Sequence, residues 1–184
     1  MILPIYIYGH PVLRKKCMLI DADYVGLSEL INNMFETMEN ASGIGLSAPQ
    51  VGLSIQLFVI DLVPYSLEDS SVPAIREVFI NPTIIEEFGV LSTHNEGCLS
   101  IPDIRSDVER KSSIKVKYFD QNFNKKNMTL DGLFARVFQH EYDHLNKKLF
   151  IDYLDPMRKN RINRKLSSIL KGKFAKNYPV ILKK

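Results

Sequence analysis

The sequence has 184 residues, of which 45% are hydrophobic and 24% are charged, a balance typical of one soluble globular domain. No apolar run approaches the roughly 18 residues of a membrane span, and the first residues lack a basic region followed by a long apolar stretch, so we predict neither a membrane span nor a secretory signal. The two cysteines, Cys17 and Cys98, are therefore expected in a reducing compartment, the cytoplasm.

The charge is unevenly distributed along the chain. All 21 acidic residues lie at or before Asp155, whereas ten of the 24 basic residues follow it. We therefore separate an acidic body, residues 1–155, from a basic C-terminal helix and tail, residues 156–184. The purely basic segment suggests contact with a polyanion, and the alternative is that its apolar residues simply pack it on the body.

The first predicted elements are an extended entry that turns at residues 9–11, and an amphipathic helix of about four turns. This helix runs from about Asp23 to about Asn40, with Asp21 or Asp23 as its N-cap. A glycine-rich loop follows at residues 43–52, where glycines let the backbone approach a ligand closely. Its spacing fits neither a phosphate loop nor a dinucleotide site, and Gln50 is its one side chain able to offer an amide N–H.

The middle of the chain is predicted to form antiparallel strands. Residues 55–61 read as a strand, residues 64–76 as a surface loop, and residues 77–85 as strand with a break at Pro82. Residues 114–119 and 127–130 pair as a hairpin. Asp131 then caps a helix that contains two histidines, and residues 157–171 have the spacing of a basic amphipathic helix that stops at Gly172.

The helix after Asp131 carries the pattern His140-Glu141-Tyr142-Asp143-His144. On a helix, His140 and His144 lie one turn apart on the same face and can bind one metal ion. Glu141 then lies beside the ion without having to bind it, so its carboxylate is free to move a proton for a water molecule. A solvated helix with two histidines is the alternative, and we favour the metal site because the glutamate is correctly inserted.

A catalytic metal usually has three protein ligands and one open position. No histidine follows His144 and no glutamate follows Glu141, so we look upstream and select Cys98. A thiolate with two imidazoles suits Zn²⁺ or Fe²⁺. Cys98 as a catalytic nucleophile is the weaker alternative, because an adjacent metal would bind the thiolate.

Together these elements predict an α+β fold. We expect antiparallel β-sheets packed around a central metal-binding helix, with an amphipathic helix before it and a C-terminal helix after it.

Three segments, in this order, resemble the motifs of the peptide deformylase family: Gly-Ile-Gly-Leu-Ser-Ala-Pro-Gln at residues 43–50, Glu-Gly-Cys-Leu-Ser at residues 96–100, and Gln-His-Glu-Tyr-Asp-His at residues 139–144. The resemblance covers roughly residues 1–155, which would be the catalytic domain. It implies hydrolytic removal of the formyl group from the initiator methionine of new polypeptides, with release of formate. It also implies Fe²⁺ as the physiological metal, with Zn²⁺, Ni²⁺ or Co²⁺ able to occupy the site in purified protein.

The resemblance also implies a role for each matching residue. Glu141 would be the general base and acid, and Gln50 and the backbone N–H of Leu99 would stabilise the oxyanion. The three metal ligands would be Cys98, His140 and His144.

Five further residues would contact the substrate. The backbone at Ile44 and Gly45 would hold the substrate peptide as an added strand. Leu133 and Val137, one and two turns before the ligands, would line the methionine pocket, and Arg105 would lie near the substrate. The expected partners are N-formylmethionyl nascent peptides and, by analogy with related bacterial enzymes, the ribosome through the C-terminal helix; no membrane or DNA partner is expected.

Three residues need separate comment. Ser47 replaces the alanine more usual in the family, a change expected to have little effect. Arg136 occupies a position that is often apolar, so it either points to solvent or narrows or polarises the rim of the methionine pocket. His94, four residues before Cys98, is either at that rim or an ordinary surface histidine.

Overall fold

A computed structural model describes residues 1–175 and 177–183 of the chain. Lys176 and Lys184, both part of the predicted basic tail, lie outside the described residues. Three short 3₁₀ turns occupy Pro11–Arg14, Ala48–Val51 and Phe150–Tyr153. The helices and strands, in chain order, are β1 (Ile5–Tyr6), α1 (Leu27–Asn40), β2 (Gly45–Ser47), β3 (Leu57–Asp61), α2 (Val63–Ser66), β4 (Arg76–Cys98), β5 (Ile101–Phe119), β6 (Lys125–Asp131), α3 (Gly132–Leu145), α4 (Pro156–Leu170) and β7 (Val180–Ile181).

The main sheet is an antiparallel meander of five strands in the order β2-β3-β4-β5-β6. The predicted break at Pro82 is wrong, because β4, which is 23 residues long, runs through this proline without interruption. A register shift between Ile80 and Thr83 in the β4–β5 ladder accommodates the proline, which has no N–H to donate and is tolerated at such a bulge. A second, two-stranded sheet pairs β1 with β7 in parallel, so it joins the two ends of the chain.

The helices agree with the sequence pattern in position and differ from it in detail. Helix α1 has Gly26 as its N-cap, with a left-handed backbone, so neither predicted aspartate is the cap. Instead, Asp21 accepts the N–H of Asp23 in a turn that precedes the helix. Helix α3 starts directly after Asp131, and α4 ends two residues before Gly172, which has a φ of 70°. In the predicted surface loop, α2 adds one helical turn.

Helix α3 is the centre of the fold. Its Phe138 packs against Phe58 of β3 and Phe79 of β4, with ring centroids 5.0 and 5.1 Å away. This apolar face holds α3 against the sheet, and it fixes the direction in which the remaining faces of the helix point. The architecture is the predicted α+β class. Within the described residues, no helix combines the length and apolar character needed to cross a bilayer.

Candidate metal centre and active site

Helix α3 and the end of β4 bring together the three predicted metal ligands. The Sγ atom of Cys98 lies 3.3 Å from Nε2 of His144, and the ligand atoms of Cys98, His140 and His144 all lie within 4.8 Å of one another. A tetrahedral ion with bonds of about 2.0–2.3 Å to nitrogen and sulfur needs ligand atoms at separations of this order. The donor set therefore fits one divalent ion such as Zn²⁺ or Fe²⁺.

A buried carboxylate orients one of the two histidines. Oε2 of Glu96 is 3.0 Å from Nδ1 of His140, and Arg110 donates to both carboxylate oxygens at 2.8 and 3.1 Å. Although burial opposes ionisation, hydrogen bonds from His140 and Arg110 hold the pKa of Glu96 well below its ordinary value. An ionised Glu96 accepts a hydrogen bond from Nδ1–H of His140, and this tautomer leaves the Nε2 lone pair available to an ion.

The side chain of Gln50 is fixed in direction by Ser47. Both the backbone N–H and the hydroxyl of Ser47 donate to Oε1 of Gln50, at 2.8 and 2.9 Å. The amide nitrogen of Gln50 therefore points the other way, and it lies 3.5 Å from Sγ of Cys98 and 3.3 Å from Oγ of Ser100. A buried N–H donor thus lies beside the sulfur of Cys98.

Glu141 lies against the backbone of the glycine-rich segment. A Cβ added to Gly45 would lie 2.5 Å from Oε1 of Glu141, so only glycine leaves room for the carboxylate. The side chain is 4% exposed, and within residues 1–175 and 177–183 its Oε2 atom has no hydrogen-bond partner. Burial raises the pKa of Glu141 to about 7, close to the value that suits a general acid or base.

A cavity of about 430 Å³ opens onto these groups. Arg105 lies at its exposed side, where Nε and Nη2 donate to the side chain and backbone oxygens of Asn95 at 3.0 and 2.7 Å. Of the eleven residues predicted to form the site, His144 is buried beside Cys98, with 1% of its surface exposed. The other ten line the cavity: Ile44, Gly45, Gln50, Cys98, Leu99, Arg105, Leu133, Val137, His140 and Glu141.

Comparison with known proteins identifies the family. The family model described as Polypeptide deformylase matches residues 2–160. The peptide deformylase of Christiangramia forsetii is 50% identical over 97% of this chain and 94% of its own length. The chain belongs to the peptide deformylase family. Among solved structures, the peptide deformylase of Thermus thermophilus has 37% identity and a TM-score of 0.83, over 94% of this chain and 99% of that one. Peptide deformylase 1B of Arabidopsis thaliana, solved with an inhibitor, has 37% identity and a TM-score of 0.83, over 92% and 91% of the two chains.

Peptide deformylases are metal-dependent hydrolases, and their reaction is the removal of the formyl group from the N-terminal methionine of newly synthesised polypeptides. The cavity region holds a donor set that fits one ion, a buried carboxylate and an amide N–H. Leu133 and Val137 contribute apolar side chains to the cavity lining.

The structure also places Arg136 and His94, for each of which the sequence left two positions open. Arg136 does not point to solvent: it is 5% exposed and donates to Glu96 at 3.0 Å, to the carbonyl of Val108 at 3.1 Å and to the carbonyl of Ser92 at 2.6 Å. It therefore adds a second cation to the carboxylate that orients His140. His94 is exposed at the cavity wall.

Four other cavity residues of this deformylase carry no signal in the sequence. Tyr65 lies in α2, and Ala175, Asn177 and Tyr178 lie beyond α4. None belongs to a recognisable motif, and the last three are distant from every motif along the chain. Only the tertiary path of the C-terminal segment brings them to the site.

Proposed function

We propose that Cys98, His140 and His144 hold the one divalent ion on which deformylation depends. The support is the convergence of a cysteine sulfur and two imidazole nitrogens within 4.8 Å, with His140 oriented by Glu96. We infer that Fe²⁺ is the metal in the cell, and that Zn²⁺, Ni²⁺ or Co²⁺ can occupy the site in purified protein. When bound, the ion polarises the formyl carbonyl and lowers the pKa of a water molecule towards neutrality.

Glu141 is the proposed general base and acid. Its carboxylate takes a proton from the attacking water, the water oxygen bonds to the formyl carbon, and the C–N bond then breaks. Glu141 returns the proton to the leaving amine, so formate and a free N-terminal amine are the products. The observation that carries this assignment is a buried carboxylate with an unpaired oxygen, within the described part of the chain, next to three converging ligand atoms.

Two N–H groups are the proposed oxyanion donors. Gln50 offers the amide nitrogen that Ser47 turns towards Cys98, and Leu99 offers the backbone N–H directly after Cys98. Both donors are held in place before substrate arrives, so the oxyanion gains their hydrogen bonds without reorganisation. The loss of one such donor typically lowers the rate by about 10²–10³.

The substrate is proposed to bind as an added strand. Strand β2, which contains Gly45, is at the edge of the five-stranded sheet, and the outward-facing backbone at its start is proposed to pair with an extended peptide. Ile44 and Gly45 then hold the peptide backbone, and Leu133 and Val137 contact the methionine side chain. Arg105, held by Asn95, is available to the residues that follow methionine.

The test of the catalytic assignment is Glu141→Ala, with Glu29→Ala as a control on an exposed position of α1. We expect Glu141→Ala to bind the metal at the wild-type ratio and to lose about 10²–10⁴-fold in formate release from formyl-Met-Ala. Glu29→Ala should match the wild type in both measurements. Normal turnover by Glu141→Ala would remove this residue from the mechanism.

We also propose that the enzyme works in the cytoplasm, at the ribosome, with residues 1–155 as the catalytic domain and residues 156–184 as a basic helix and tail. On α4, Leu166 and Ile169 are buried in the core, whereas Arg161 and Arg164 are exposed. Packing of the apolar face and docking of the basic face are therefore compatible. Exposed positive charge facing solvent is what a contact with ribosomal RNA requires.

Charge reversal tests the docking proposal without removing the helix. Arg161→Glu with Arg164→Glu should reduce co-sedimentation with ribosomes at low salt. The control double variant, Lys15→Glu with Lys16→Glu, makes the same change of charge at another exposed place. It should leave co-sedimentation with ribosomes unchanged. Equal co-sedimentation of the two double variants would contradict docking through α4.

A further inference from the structure

The segment after α4 is docked on the body rather than extended into solvent. We call residues 173–175 and 177–183 the C-terminal strap. The N–H of Ile5 donates to the carbonyl of Pro179 at 2.8 Å, and the N–H of Ile7 donates to the carbonyl of Ile181 at 3.0 Å. The strap also adds four apolar side chains to the main hydrophobic core: Phe174, Tyr178, Val180 and Leu182.

The C-terminal strap reaches the substrate cavity. The hydroxyl of Tyr178 donates to the backbone carbonyl of Leu99 at 2.7 Å. Close by, the N–H of Ala175 lies 3.4 Å from Oδ2 of Asp103, and Ala175, Asn177 and Tyr178 all line the cavity. The match to the family model ends at residue 160, so these three residues lie outside the part of the chain that the family model covers.

The two-residue turn formed by Leu99 and Ser100 is held by two contacts. It lies between Cys98 and Ile101, which pair at the start of β5. The carbonyl of Ser100 accepts the N–H of Tyr8 at 2.8 Å, and the carbonyl of Leu99 accepts the hydroxyl of Tyr178. Burial raises the pKa of Tyr178 to about 12, so the hydroxyl keeps its proton and remains a donor at neutral pH.

We propose that the C-terminal strap is a wall of the substrate groove and that Tyr178 is a positioning residue that fixes the Leu99 turn. The proposal rests on the proposed function, in which the N–H of Leu99 faces the oxyanion. A short turn reorients its peptide groups easily unless they are held, and an oxyanion donor is effective only when its direction is set in advance. Tyr178 supplies this restraint from a segment that contributes neither a metal ligand nor the proposed proton-transfer group.

The direct test is Tyr178→Phe, which keeps the packed ring and removes only the hydrogen bond to Leu99. The control is Tyr24→Phe, at a partly buried tyrosine outside the cavity. For Tyr178→Phe we expect kcat with formyl-Met-Ala-Ser to fall about fivefold to tenfold, with KM and metal content unchanged. In the zinc-loaded protein, amide hydrogen exchange at Leu99 and Ser100 should accelerate, while exchange in β3 and β4 should not. Tyr24→Phe should change none of these quantities.

Either wild-type kcat or unchanged exchange at Leu99 and Ser100 would overturn the role of Tyr178. A fall in kcat that accompanies metal loss or faster exchange throughout the sheet would overturn it too, because the bond would then support only the fold. Gln50→Ala separates this inference from the proposed function. If Gln50→Ala keeps full activity, the oxyanion assignment itself fails; if it loses activity while Tyr178→Phe does not, only the inference about Tyr178 fails.

The groove-wall part of the proposal has its own test. Asn177 is exposed and lines the cavity. Asn177→Ala should therefore raise KM about threefold for formyl-Met-Ala-Ser and change it little for formyl-Met-Ala. A threefold difference corresponds to about one weak hydrogen bond. Asn160→Ala, at an exposed position of α4, is the matched control. Equal changes of KM for the two substrates would overturn the proposal that the C-terminal strap is a wall of the substrate groove.

Discussion

The contact between Gly45 and Glu141 predicts the effect of one added methyl group. In Gly45→Ala the new Cβ would lie 2.5 Å from Oε1 and 2.9 Å from Cδ of Glu141, about 1 Å short of an ordinary contact. Gly45 does not have a left-handed backbone, so alanine adds no backbone strain, and its pairing with Ile60 holds β2 in place. The Glu141 carboxylate must therefore move by about 1 Å, a displacement that typically costs about 10²-fold in rate, or about 2.7 kcal/mol of transition-state stabilisation.

The assay is formate release from formyl-Met-Ala by Gly45→Ala, Glu141→Ala and the double variant, with metal content and thermal unfolding measured on each. We expect Gly45→Ala to retain the metal and to lose about 10²-fold in kcat. If the methyl group acts through Glu141, the double variant should be no slower than Glu141→Ala alone. Wild-type turnover by Gly45→Ala, or a further hundredfold loss in the Glu141→Ala background, would refute the reasoning.

Three other changes test separate parts of the structure. Cys98→Ser should weaken Fe²⁺ binding in an anaerobic metal titration, because a hydroxyl is a poorer ligand than a thiolate for this ion; unchanged affinity would argue against thiolate ligation. Ser47→Ala should lower kcat about fivefold with little change of KM, since Gln50 loses one of two hydrogen bonds that orient it; an unaltered kcat would mean that the backbone N–H of Ser47 suffices. Asp120→Asn should lower the melting temperature at pH 7. Burial opposes ionisation of Asp120, but hydrogen bonds from Asn124 outweigh it and lower its pKa, so its stabilising effect is complete above about pH 4 and is lost as the pH falls through the folded-state pKa. The difference in melting temperature from the wild type should therefore shrink at low pH, and a constant difference would contradict this assignment.

The predicted site came from two kinds of signal with different reach. His140, Glu141 and His144 are close in sequence, and helical geometry alone brings their side chains together. Cys98 was selected because downstream histidine and glutamate ligands were excluded and because it lies in one of the three motifs. Nothing in the residues around it predicts that β4 ends at this cysteine, beside the histidine pair. The sequence left Arg136 open because its partner is remote: it is buried against Glu96, 40 residues earlier in the chain. Ser47, expected to have little effect, donates its hydroxyl to Gln50 only three residues away, and it is the local turn geometry that brings the two side chains together.

The sequence by itself determined the α+β class, the helix that carries the histidine pair and the order of the three motifs. These follow from periodicity, from short-range spacing and from residue types that only a few chemistries need. Tertiary structure alone decided that β4 runs through Pro82, that Gly45 lies against Glu141, and that Tyr178 contacts Leu99. Such contacts depend on how separate elements pack in space, and the pattern within any one element contains no information about its distant neighbour.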